Sequence, residues 1–142
     1  MQLTTHIVRQ ALDHALSVSA ADHFNGKPFS AAVSDAEGNL LGFLRKEVAP
    51  AMTIELAQRK AYTSARMRVT TKALLERLKK ENLEIHYFAD ARFTAIPGGI
   101  PLFDADDVCI GAVGMAGLSA DGGNHNAAEM VARFIMNELS KN

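Results

Sequence analysis

The sequence predicts a single α+β domain over residues 1–142, with helices flanking a central, mainly antiparallel sheet. Three observations predict it. Residues 29–45 and 97–114 each read as two extended runs joined by a turn too short for a crossover, so the strands of each pair run antiparallel. Four other segments carry apolar residues at helical spacing. No repeat, low-complexity tract or linker divides them, and 142 residues are enough to bury one core. Helices with one apolar stripe then have to lie on the faces of the sheet.

The first helix opens at Thr4-Thr5, either of which can cap it, and runs to about Asp22 with Ile7, Val8, Ala11, Leu12, Ala15 and Val18 along one face. Asn25-Gly26-Lys27-Pro28 stops it. Phe29 to Asp35 reads as a strand, Ala36 to Asn39 as a tight turn shaped by Asp35, and Leu40 to Arg45 as the returning strand. Small and apolar residues fill both faces of this pair, which predicts cover on both sides. Pro50 opens a second helix through Ile54, Ala57, Lys60, Ala61 and Ala65 to about Arg68. Arg66 and Arg68 complement its negative end. Thr70-Thr71 caps a third helix through Leu74 and Leu78, ending in Lys79-Lys80-Glu81-Asn82. Leu83 to Phe93 carries no periodic signal.

Pro97 and Pro101 then delimit a short extended element with one incomplete ladder edge. Gly98 and Gly99 between them leave bare backbone for positive φ or a close approach. Asp104 to Asp107 forms the turn, and Val108-Cys109-Ile110-Gly111-Ala112-Val113-Gly114 the buried return strand. A glycine-rich turn spans Gly117 to Gly123, and Asn124 or Asn126 caps a last helix with Met130, Val131, Phe134, Ile135 and Leu139 as its stripe.

Composition excludes several classes. The 48% hydrophobic and 22% charged residues are those of a globular protein. A net charge of −1 with mixed signs gives no footprint for nucleic acid or a membrane surface. Cys109 is the single cysteine, so no intramolecular disulfide forms and a reducing compartment fits. The N-terminus enters the amphipathic pattern with no basic segment and apolar h-region, which reads as cytoplasmic. No apolar run reaches the roughly 18 residues of a membrane span.

The segment Ile96-Pro97-Gly98-Gly99-Ile100-Pro101-Leu102, followed by Val108 to Gly114, resembles the signature hairpin of the GlcG/HbpS-like family. Ala32 to Leu41 resembles its Asp-x-x-Gly hairpin, and Ala57 to Ala65 its Ala-x-x-Lys-Ala helix. The family includes relatives of a secreted haem-binding protein and of the C-terminal domain of the PduO cobalamin adenosyltransferases. The resemblance implies a profilin-like α/β/α sandwich, homo-oligomers, and haem or a related tetrapyrrole as ligand. The chain departs from the pattern at Ala116 to Asn126. Members continue there with Ser-Gly-Gly and an acidic residue; here Asn124-His125-Asn126 follows a longer glycine-bearing lead-in.

His125 stands near the start of the last helix, beside amides that favour a carboxylate or phosphate. Glu129, four residues on, would complete half of a metal site. The plain alternative is a solvated histidine with a surface glutamate. His14 lies at the edge of the first helix's stripe, where an imidazole can reach a tetrapyrrole's iron, or is a boundary histidine satisfied by a neighbour. Lys60 either pairs an anion, such as a substrate carboxylate or a haem propionate, or keeps its ammonium in water. His6 reads as solvated, His23 as leaving the first helix, His86 as a pocket or surface residue, and Cys109 as inert core. No catalytic triad spacing, phosphate loop or nucleotide fingerprint is present.

The expected pocket lies between Gly98-Gly99, the loop from Gly117 to His125 with Asn124, and the helix face bearing Lys60. Three functions compete. The first is a small-ligand-binding protein, with haem or a related tetrapyrrole implied by the resemblance. The second is a catabolic enzyme acting on a small organic acid or aromatic intermediate, with His125 as general base and Lys60 holding an anion. The third is an oligomeric accessory protein without a ligand of its own.

Overall fold

The computed structural model describes residues 2–21, 24–119 and 122–141. Elements follow in the order α1 (Thr5–Ser19), β1 (Ser30–Ser34), β2 (Leu40–Arg45), α2 (Met52–Met67), α3 (Thr71–Glu81), a 3-10 turn (Ile85–Phe88), β3 (Gly99–Phe103), β4 (Cys109–Ala116) and α4 (Gly123–Ser140). The strands form one sheet in the order β2-β1-β4-β3. Every pairing is antiparallel, and Ala32 pairs with both Phe43 and Gly114. Pro101 lies in β3, an edge strand, where a missing donor is tolerated.

Alternation along the strands builds two cores. Ala31, Val33, Val113 and Met115 point to α1 and α4, against Val8, Leu12, Val131 and Ile135. Ala32, Ala112 and Ala116 point the other way, against Ala57, Ala61 and Ala65 of α2. A Cβ on Gly114 would collide with the Ala57 carbonyl and the Ala61 amide, so only glycine lets α2 sit this close. The alanines of α2 are spent on the sheet; all three are fully buried.

Four local expectations change. Cover on both sides holds for β1, buried throughout, but not for β2, an edge strand with Leu40 and Leu41 exposed. The regular part of α1 ends at Ser19, and Asp22, its expected end, lies outside the described residues. The second helix starts at Met52 rather than at Pro50. α4 has Gly122 at its cap position with φ 97° and no side-chain cap, because Asn124 turns back to the preceding loop. Thr4 and Thr70 do cap α1 and α3, accepting from Ile7 N and Ala73 N.

The aperiodic stretch after α3 is held by side chains of α2. The Tyr62 hydroxyl donates to Asp90 Oδ2 at 2.7 Å, Thr94 N donates to Thr63 Oγ1, and Arg59 donates to the Ala91 carbonyl. Arg92 covers the Tyr62 ring at 4.0 Å. The hydrogen bond raises the Tyr62 phenol above its usual pKa and lowers the Asp90 carboxyl below its own. This anchoring places Pro97-Gly98-Gly99 over α2. Among the described residues, no helix is long and apolar enough to cross a membrane.

Candidate functional site

The spacing of small residues on α2 brings four of the sequence candidates together. Lys60 is fully buried, and its ammonium donates to the Met115 carbonyl at 2.8 Å. Gly98, at φ 136°, lies against it: a Cβ there would stand 2.9 Å from Lys60 Nζ and 2.5 Å from the Met115 oxygen. Gly99 donates its N–H to Thr71 Oγ1 at 2.9 Å, and a Cβ on it would come within 2.6 Å of Ser64 Oγ. Asn124 closes the cluster. Its side chain accepts from Leu118 N at 2.9 Å and donates to the Leu118 carbonyl at 3.4 Å. Lys60 therefore does not keep its ammonium in water; desolvation lowers it from 10.5 to about 7. Ser64 Oγ, also buried, has no hydrogen-bond partner among the described residues.

His125 begins the first turn of α4 next to this cluster. Its side chain is only 11% exposed, so it is not the solvated histidine of the plain reading. Nε2 lies 3.9 Å from Glu129, and Nδ1 is buried without a hydrogen-bond partner among the described residues. Glu129 also lies 3.7 Å from Arg133. Among the described residues, no three His, Cys, Asp or Glu side chains converge, so no third ligand of these types joins His125 and Glu129.

A solvent-open site lies elsewhere, along the seam between α1 and α4. A groove of about 460 Å³ is walled by Val18, Ala21, Met130 and Phe134, with His14 at its side and Arg133 and Asn137 on its rim. The His14 imidazole stacks on the Phe134 ring, centroids 4.4 Å apart and planes 11° from parallel. No described residue hydrogen-bonds either of its nitrogens. A second cavity of about 250 Å³ runs between β3 and α4, and Arg133 and Asn137 line it too. Two more, of about 350 and 420 Å³, lie beside Asp90 and beside the β1–β2 turn. None of these four is lined by Lys60, Gly98, Gly99, Asn124 or His125.

His6 is exposed; His86 is exposed but lines the cavity beside Asp90, edge-on to Tyr87. His23 lies outside the described residues. Cys109 is buried under α2, near the Ala65 carbonyl. Asp35 shapes its turn by accepting from Glu37 N and Asn39 N. Sequence reasoning missed Arg133. Its signal was its position: four residues after Glu129 and between the stripe residues Met130 and Phe134.

Solved structures share this fold over almost the whole chain. A double mutant of HbpS from Streptomyces reticuli is 28% identical, with 94% of this chain and 86% of that one aligned at a TM-score of 0.78. A complex of PduOC with haem is 21% identical over 94% and 95% of the two chains at 0.81. The Klebsiella pneumoniae protein ORFY is 18% identical over 96% and 92% at 0.82. At these last two identities the likeness is one of fold. No curated protein matches the sequence. The family model for "Haem degrading protein HbpS-like" matches residues 3–132, nearly all of the α1-to-α4 fold described above, and the chain belongs to the HbpS-like family.

Proposed function

We propose that this protein binds a planar, largely apolar ligand of the haem or related tetrapyrrole class in the α1–α4 groove, with His14 as the side chain that reaches its metal. The observation that carries this reading is the His14 imidazole, held flat on Phe134 beside an apolar groove of about 460 Å³. The donor set fits the group. Ligand sites combine apolar walls with a few directed polar atoms, and imidazole is a common axial ligand of haem iron. Membership of the HbpS-like family and the haem bound by PduOC support the ligand class. When bound, haem would supply a redox-active iron; this chain's part is to bind it, orient it and exclude water from one face. The enzyme reading, with His125 as general base, would instead use the cluster around Lys60, whose flanking loop includes residues 120 and 121, outside the described residues.

Haemin titration followed by absorbance tests the proposal. The native chain should give a sharpened, saturable Soret band, and His14→Ala should lose or shift that band while melting near the native temperature. An identical spectrum and affinity in His14→Ala would overturn it.

A further inference from the structure

We propose that Arg133, with Asn137 one turn on, selects for ligands of this groove that carry free carboxylates at one edge. The inference rests on the tetrapyrrole reading above and adds the chemistry of the ligand's acidic side. Apart from His14, the groove lining contains one ionisable residue, Arg133, and no carboxylate among the described residues. Walls of Val18, Ala21, Met130 and Phe134 can cover a ring system but cannot neutralise acid groups attached to it. A guanidinium on the rim can, through two parallel N–H···O bonds that fit a carboxylate plane.

The Arg133 side chain is available for this. It is 73% exposed, and its contact with Glu129 Oε1, at 3.7 Å, is too long for a hydrogen bond. That ion pair is a loose tether rather than a closed fork, and an exposed pair of this kind contributes little. Arg133 and Asn137 line both the groove and the neighbouring cavity between β3 and α4, so they sit on the ridge between the two. A ring in the groove that directs carboxylates toward that ridge meets a cation and an amide there. The other candidate cation for such a role, Lys60, is fully buried, and its ammonium is committed to the Met115 carbonyl.

Paired titrations with haemin and with haemin dimethyl ester test this, each read by absorbance and by ligand-induced change in melting temperature. The native chain should bind the diacid at least about tenfold more tightly than the diester. Arg133→Met, which keeps the apolar stem, should reduce that preference to about twofold or less, mainly by weakening the diacid. His14→Ala should weaken both ligands and keep their ratio. Raised salt should erode the preference of the native chain, as for any exposed charge contact. A preference that survives Arg133→Met, or a native chain that binds diacid and diester equally, overturns the inference while leaving the His14 reading intact. A His14→Ala chain with native spectra and affinities for both ligands overturns the His14 reading by itself.

Discussion

Lys60 imposes a pH dependence on folding that one substitution should remove. In the unfolded chain its amine has the usual value near 10.5; in the fold, burial brings it to about 7. Below about pH 7 the lysine is charged in both states, and the folded protein bears the full cost of an ammonium out of water. Between about 7 and 10.5 the unfolded chain holds a proton that the folded chain has released, so stability rises with pH. Above that window both forms are neutral and the cost is gone. At about 1.4 kcal/mol per pH unit, the full difference is about 3–5 kcal/mol.

Lys60→Met keeps most of the volume between α2 and Gly98 and cannot titrate. It leaves the Met115 carbonyl without its donor, a loss of about 1–3 kcal/mol that does not depend on pH. The assay is urea unfolding of both proteins at intervals from about pH 6 to about pH 10. Because all other titrating groups are shared, subtracting the two curves isolates Lys60. The native chain should gain about 3–5 kcal/mol on the variant across that range, with a steepest slope of about 1.4 kcal/mol per pH unit. Parallel curves would refute the reasoning and show that Lys60 keeps its ordinary titration in the fold.

Two further substitutions probe the packing around it. Gly114→Ala drives a methyl into the backbone of α2 at Ala57 and Ala61 and should cost about 1–3 kcal/mol in urea unfolding, a result that an unchanged midpoint would contradict. Asn124→Ala strips both side-chain bonds from buried Leu118 and should cost about 1–3 kcal/mol. Amide exchange should locate that loss at Leu118, ahead of α4; uniform acceleration across the sheet would argue against a local role.

The parts of the fold that could be read from sequence are those whose signal is local. Asp35 ahead of Gly38, and Asp104 to Asp107, mark turns by their own backbone needs, and both hairpins follow. Periodicity places the four helices to within a few residues. The stretch from Leu83 to Phe93 was opaque because its partners, Arg59, Tyr62 and Thr63, lie on a helix far away in sequence. Lys60 was ambiguous for a related reason: alanine neighbours suit both a buried stem and one lying along the surface. Only the Met115 carbonyl, 55 residues on, decides between them. Asn124 or Asn126 reads as a cap from sequence because asparagine before a helical stripe usually is one. Here a glycine with positive φ already turns the chain, and the Asn124 side chain serves the loop instead.

The two faces of the sheet explain why the cluster around Lys60 and the groove beside His14 differ in character. Under α2 the contacting residues are alanines, with Gly114 removing even the methyl, so helix and sheet meet at close range. A polar residue placed there, as Lys60 is, must find its partner in the backbone, and its charge becomes expensive. On the opposite face α1 and α4 rest on larger side chains and also pack on each other along an apolar seam. At the outer edge of that seam the large rings of His14 and Phe134 stack instead of interlocking, and the groove opens beside them. A cation at its rim remains hydrated until a ligand arrives, so Arg133 can trade water for a carboxylate at little cost, whereas Lys60 would first have to leave the core. The same physical rule that makes one positive charge structural leaves the other free to recognise a ligand.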